Sequence, residues 1–390
     1  MENIFAPLID SWFNAMDTFL PLFGKCLNMD FYKGFDFDTY FKNTNLYLQT
    51  ENDKIYPKML DYSLSDKKDI YTFSVPNGYG KQKLEQYKDG LELAIGYPIE
   101  YNFNKSNWDI IVKKGKLKTN IKYNHIYRKN SLKIPIGESL DETLYINLRE
   151  NATTLICGTI GSGKSVCTKS ILTTLINNFN PNMLEITLCD LKKVELNLFK
   201  NVEHVTRFAY ELDDVTEIII DMLNECNNRY DLLMKNNVVD IYEYNKNRKE
   251  KLPYKVLFIE EIVLLLQDKK HVGMDNLKQL LSICRACGIF VFITTQRPSC
   301  DVLDSVAKAC INNRIVFKVE DSKNSLIALD SEGAEKLKGK GNGILKIGSE
   351  SEEFQGYFIS SSQTKYLIKP FEIEKVKENN EIDLSFIDKL

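Results

Sequence analysis

The chain has 390 residues, 43% hydrophobic and 27% charged, with a net charge of −3. That length suits two or three units of an ordinary globular protein and rules out a fibrous or low-complexity chain. The slight acidity supplies no general attraction for nucleic acid or anionic membrane, so any polyanion contact has to be local. Nine cysteines without even spacing in a small scaffold point to a reducing compartment and buried thiols.

The chain opens with an apolar, amphipathic segment (Leu8, Ile9, Trp12, Phe13, Met16, Phe19, Leu20, Phe23, Leu27). It lacks a basic n-region and a cleavage site, so no secretory signal is expected. Asp10, Asp17 and Lys25 interrupt it, so no membrane span is expected either. A helix packed on the body of the protein and a helix docked on a membrane or membrane-bound partner both fit.

Residues 1–60 read as an irregular, aromatic-rich arm, partly helical. From 61 to 134 the pattern is a small α/β accessory domain: strand Ile70–Val75, a turn at Pro76–Gly78, helix Lys81–Ile95, then strands Ile99–Phe103 and Trp108–Lys114. Its end is a basic linker. Lys113, Lys114, Lys116, Lys118, Lys122, Arg128, Lys129 and Lys133 occur without an acidic residue and interleave with Tyr123, His125 and Tyr127. Such a stretch is either a solvated connection or a contact with nucleic-acid phosphates.

Gly158-Thr159-Ile160-Gly161-Ser162-Gly163-Lys164-Ser165 is a complete phosphate-binding loop of the form G-x-x-x-x-G-K-[ST]. Thr153–Cys157 before it reads as a buried strand. Val166 to Asn178 after it has helical apolar spacing, and Pro181 is a stop. In this context glycine backbone N–H groups cradle phosphates, Lys164 reaches the β/γ-phosphates and the Ser165 hydroxyl ligates Mg²⁺. Further apolar strands at 184–189, 255–260, 289–294 and 314–319 alternate with helices, which predicts a parallel sheet with covering helices. A short β tail at 343–347 and 354–359 follows, and residues 363–390 form a charged tail.

Hydrolysis needs residues of its own. The strand ending Ile259-Glu260-Glu261 supplies two carboxylates: Glu260 to support the metal and Glu261 to polarise the attacking water. The usual first residue there is Asp, so Glu260 is one methylene too long. The strand ending Thr295-Gln296 places Gln296 as a γ-phosphate sensor, because neighbouring parallel strands share one crevice at their C-terminal ends. Asp190 and Lys192 end another strand on that side. Cys284 and Cys287 form a C-x-x-C without a second pair at zinc spacing and read as structural thiols. The three histidines, His125, His204 and His271, suggest no catalytic cluster.

These blocks, taken together, resemble the FtsK/SpoIIIE family of DNA-pumping ATPases from about Pro135 to Gly348. Gly158–Val166 resembles that family's loop, and Asp190-Leu191-Lys192-Lys193-Val194-Glu195-Leu196 its D-P-K-x-V-E-L block, with Leu for Pro. Arg229-Tyr230-Asp231-Leu232-Leu233, Arg285-Ala286-Cys287-Gly288-Ile289 and Thr295-Gln296-Arg297-Pro298-Ser299 match further blocks. Asn313-Arg314-Ile315-Val316-Phe317 and Gly333-Ala334-Glu335-Lys336-Leu337 continue the match.

The resemblance implies a RecA-like P-loop motor over 135–362, a hexameric ring with ATP and Mg²⁺ between subunits, and double-stranded DNA in the pore. It also implies an arginine from the neighbouring subunit at the γ-phosphate, with Arg285 and Arg314 as candidates. Absent membrane spans and a winged-helix domain, the expectation is a cytoplasmic translocase of a plasmid, phage or integrative conjugative element, with a membrane-bound or relaxase partner supplying any membrane association. A conjugative coupling ATPase, a protein-secretion motor and a non-motor ATP-dependent DNA-binding scaffold are the alternatives.

Overall fold

The computed structural model describes residues 35–373, apart from 52, 77, 105–106, 125–128 and 247. The amphipathic opening segment and most of the charged tail therefore lie outside the described residues. The chain forms two compact units, Met1–Lys116 and Leu117–Leu390. No helix among the described residues is long and apolar enough to cross a membrane.

In the first unit, helix α1 (Phe37–Asn43) is followed by the short strands β1 (Leu48–Gln49) and β2 (Lys54–Ile55). Then come β3 (Lys58–Leu64), β4 (Lys68–Ser74), α2 (Lys81–Glu85), α3 (Lys88–Ile95), β5 (Ile99–Asn104) and β6 (Asn107–Lys113). The four longer strands form an antiparallel sheet in the order β3-β4-β6-β5. Strict alternation along β4 and β6 turns Tyr71, Phe73, Trp108, Ile110 and Val112 to one buried face.

Residues 35–60 do not stand apart as an arm. Phe37 and Phe41 of α1 pack against Phe73 and Trp108, with ring centroids 5.0–5.9 Å apart. Burying such rings is what a small sheet needs to close its core. The single helix expected over 81–95 is two, because Tyr87 N–H bonds the Leu84 carbonyl and tightens the chain between them.

The basic stretch is also less available than its sequence suggests. Lys113 pairs with Glu100, Lys114 with Asp69 and Lys118 with Glu138, at 2.7–2.8 Å. Tyr123 is buried, its hydroxyl 2.6 Å from Thr174.

The second unit contains β7 (Lys133–Glu138), β8 (Thr143–Asn147), β9 (Thr153–Cys157), α4 (Lys164–Asn178), β10 (Leu184–Asp190) and β11 (Val205–Ala209). It continues with α5 (Leu212–Lys235), α6 (Ile241–Lys246), β12 (Tyr254–Glu260), α7 (Val272–Ile283), β13 (Ile289–Thr295), α8 (Ser305–Cys310) and β14 (Asn313–Phe317). The last elements are α9 (Ser322–Leu329), β15 (Asn342–Ile347), β16 (Glu350–Gly356) and α10 (Ser361–Ile368).

One ten-stranded sheet runs β11-β10-β12-β13-β9-β14-β15-β16-β7-β8. It is parallel from β11 to β14 and antiparallel beyond. Strands β9, β13 and β14 are buried at every position, which is why they read as apolar, β-branched stretches with few polar residues.

The register aligns the strand ends that matter. Asp190 pairs with Glu260, Ile259 with Ile293, and Cys157 with both Thr295 and Val316. The C-terminal ends of β10, β12, β13, β9 and β14 thus form one edge.

Candidate active site

The phosphate loop leaves β9 at Gly158 and enters α4 at Lys164. Gly163 has φ +126, and a Cβ there would lie 2.7 Å from Gly341 Cα, so only glycine fits. The loop is seated on its own chain. Gly158 N–H bonds the Thr295 carbonyl, Thr159 N–H bonds Lys318 at 2.9 Å, and Gly341 N–H bonds Ser162 O at 2.7 Å. Gly339 and Gly341, both at positive φ, form the turn that meets the loop.

At the head of the loop Lys164 is 4% exposed and Glu260 is 1% exposed, and they form a buried ion pair. Lys164 Nζ also lies 3.5 Å from Thr294 Oγ1. Burial pushes the Glu260 carboxyl above its ordinary range, and the Lys164 ammonium and hydrogen bonds pull against that rise.

Glu261 follows in the left-handed region, φ +60, which swings its side chain out of the strand's alternation. Its Oε1 accepts from Thr295 Oγ1 at 3.0 Å and from Gln296 N–H at 3.1 Å. Its Oε2 is 2.6 Å from Lys192 Nζ. Asp190, fully buried, accepts from Leu196 N–H through Oδ2 at 2.9 Å, while its Oδ1 has no partner among the described residues.

A cavity of about 370 Å³ opens beside the loop. Lys164, Ser165 and Gln296 contribute its polar part, and Ile136, Val166 and Phe358 its apolar part. A polar wall for phosphates next to an apolar one for a base is the composition a nucleoside triphosphate requires.

Folding therefore brings Gly158–Val166, Glu260, Glu261 and Gln296 together, and leaves both arginines out. Arg314 is 8% exposed and committed within its own chain, with Asp330 at 2.6 Å and the Lys308 carbonyl at 2.8 Å. A guanidinium held by a carboxylate and carbonyls of its own chain counts against a part for Arg314 at a neighbour's phosphate. Arg285 is exposed and lies 3.4 Å from the Glu150 carbonyl, at the strands' N-terminal edge, away from this chain's own loop.

Arg229 and Tyr230 hold architecture rather than chemistry. Arg229 bonds the Cys287 carbonyl and Tyr230 the Ile283 carbonyl, each at 2.8 Å, tying α5 to the connection before β13. Cys284 and Cys287 are buried, and burial pushes the Cys284 thiol up to about 12. His204 is buried against the Phe179 carbonyl, 2.8 Å away.

Sequence reasoning missed the Lys192 contact, the Thr294 and Thr295 hydroxyls and the Gly339–Gly341 turn. The dense glycines of Gly339-Lys340-Gly341-Asn342-Gly343 were a visible signal for the last. For the lysine, the sequence indicated the side of the sheet but not the partner, which lies two strands further along the chain.

A phosphate loop joining a buried strand to a helix, with a carboxylate pair and a glutamine on adjacent strand ends, defines a P-loop nucleoside triphosphatase domain of mixed α/β fold. Residues 122–300 match the model of the FtsK/SpoIIIE family. The DNA translocase FtsK of Borreliella burgdorferi is 35% identical over 268 residues, which cover 65% of this chain and 34% of that protein. The FtsK of Halalkalibacterium halodurans is 31% identical over 255 residues, 62% of this chain and 32% of that protein. The chain thus spans about a third of the length of the curated relatives it matches.

Among solved structures, the pCW3 conjugation coupling protein TcpA in monomer form with ATPgS superposes with a TM-score of 0.60 at 21% identity. That match covers 85% of this chain and 97% of TcpA, more than the second unit could supply by itself.

Proposed function

We propose that the chain is an ATP-driven translocase of double-stranded DNA that works as a hexameric ring with ATP held between subunits. The observation that carries this reading is the convergence of Lys164, Glu260, Glu261 and Gln296 on one edge of the sheet, in a segment matching DNA translocases at 31–35% identity.

Mg²⁺ fits the donors present. Ser165 and Glu260 offer hard oxygens, and the unpartnered Asp190 Oδ1 lies on the strand end in register with Glu260. When bound, the ion supplies positive charge to the β/γ-phosphates. The residues do the rest. Backbone N–H groups of Gly161 to Lys164 and the start of α4 bind phosphate oxygens, and Lys164 transfers its ammonium from Glu260 to the phosphates. Glu261 accepts a proton from the attacking water, and Gln296, bonded to Glu261 through its backbone, registers loss of the γ-phosphate.

Steady-state ATPase rates with and without linear duplex DNA test the reading. DNA is expected to raise the turnover rate severalfold, and Glu261→Gln to lower it by about 10²–10⁴. A rate indifferent to duplex DNA removes the translocase assignment.

The match over nearly the whole of TcpA brings in a second reading, a coupling ATPase that delivers DNA to a transfer channel. On that reading Lys164→Ala abolishes transfer of the DNA element encoding the chain and leaves host division unaffected.

A further inference from the structure

Two lysines face the two carboxylates of the site, and they are not equivalent. Lys164 pairs with Glu260 deep in the fold, and Lys192 pairs with Glu261 at 2.6 Å. A bound triphosphate is itself the ligand of Lys164, so nucleotide binding withdraws that cation from Glu260. Lys192 is not part of the loop or of α4. It comes from the turn after β10, and its side chain is 29% exposed, against 8% for Glu261.

With Lys192 in place, Thr295 Oγ1 and Gln296 N–H bond one oxygen of the Glu261 carboxylate, and the Lys192 ammonium lies against the other as an ion pair without hydrogen-bond geometry. An attacking water must displace that cation from Oε2, and a carboxylate with a cation against it favours its charged form over accepting a proton. The segment holding the lysine is also within reach from outside. The chain turns at Lys193, φ +63, and Val194 is 72% exposed.

The geometry points to Lys192 as a positioning residue that restrains Glu261 from accepting the water's proton until the 190–196 segment is displaced. Nucleotide binding then releases one carboxylate, and a second event, contact of that segment with DNA or a neighbouring subunit, releases the other. The inference rests on the reading of Glu261 as the base.

The test is kcat and KM for ATP, without DNA, in the full chain and its Lys192→Met and Lys192→Arg variants, with thermal midpoints recorded. Lys192→Met is expected to raise the DNA-free kcat on the order of tenfold at unchanged KM, the factor set by removing the cation beside the base. Lys192→Arg keeps the carboxylate paired and the rate low. The double variant Lys192→Met/Glu261→Gln is inactive.

A fall in kcat or a rise in KM for Lys192→Met overturns the inference, because Lys192 then serves the phosphates. An unchanged kcat overturns it equally. The underlying reading fails on other grounds: Glu261→Gln retaining full activity, or the unmodified chain ignoring duplex DNA.

Discussion

Glu260 is the residue whose environment departs furthest from water. A carboxylate 1% exposed keeps its charge only because Lys164 lies against it, and removing one partner of a buried pair costs about 3–5 kcal/mol. Its carboxyl holds a proton to higher pH in the folded chain than the ordinary 4.5 of the unfolded one. The folded state therefore binds more protons over that interval, and its stability falls as pH rises through it. Lys164→Met strengthens this behaviour. Its thermal midpoint is expected to drop further below that of the unmodified protein at pH 8 than at pH 5, because a carboxyl raised by burial is more readily neutralised at the lower pH. An equal drop at both values excludes Glu260 as the group responsible. The same residue carries the departure from the family's usual Asp: the longer side chain reaches Lys164 directly.

At the level of elements, the phosphate loop depends on a turn far along the chain. Gly163 lies so close to the Gly341 backbone that a methyl group on Gly163 has no room. Gly163→Ala combines that clash with a φ of +126, a strain of about 1–3 kcal/mol. Nucleotide affinity is expected to fall by at least tenfold, as read by titration with a fluorescent ATP analogue. The β14–β15 region has an electrostatic hub instead. Burial opposes ionisation of Asp330, but hydrogen bonds from Lys308, Arg314 and Lys346 outweigh it and hold the carboxyl well below its usual range. A depressed carboxyl contributes stability above its unfolded value of 3.8 and loses it as pH falls below. Asp330→Asn should therefore melt earlier than the unmodified protein at pH 7, with the gap closing in strong acid.

On the scale of the whole molecule, the proposed ring calls for an arginine reaching a neighbour's phosphates, and the commitment of Arg314 to Asp330 favours Arg285 for that part. In analogous enzymes such a residue is worth about 10³–10⁵ in rate. Arg285→Ala and Lys164→Ala are each expected to lose nearly all ATPase activity. Mixed in equal amounts and reassembled, they should recover about a quarter of the unmodified rate, because the proposed ring would set intact loops beside intact arginines at that frequency. No recovery on mixing places Arg285 outside the neighbouring site.

The parts of this protein readable in its linear chain are those whose signal is local. Thr153–Cys157, Lys164–Asn178, Tyr254–Glu260 and Ile289–Thr295 were legible because strands buried on both faces are apolar, β-branched stretches with few polar residues, and because the loop's glycines and lysine are contiguous. Less legible were β7, which carries Pro135 and Gly137, and β11, an edge strand with Arg207 exposed; their pairing depends on neighbours remote in sequence. Helix α1 was hidden in an aromatic arm because only the sheet it covers gives Phe37 and Phe41 a reason to be buried. The pairing of the charges was not written locally at all. Strand order sets β10 beside β12, which brings Lys192 to Glu261, and sets β15 beside β14 and β14 beside β9, which brings the Gly341 turn to Gly163. The loop and the carboxylates are properties of the chain; which cation each carboxylate meets is a property of the fold, because ion pairs form between neighbours in space.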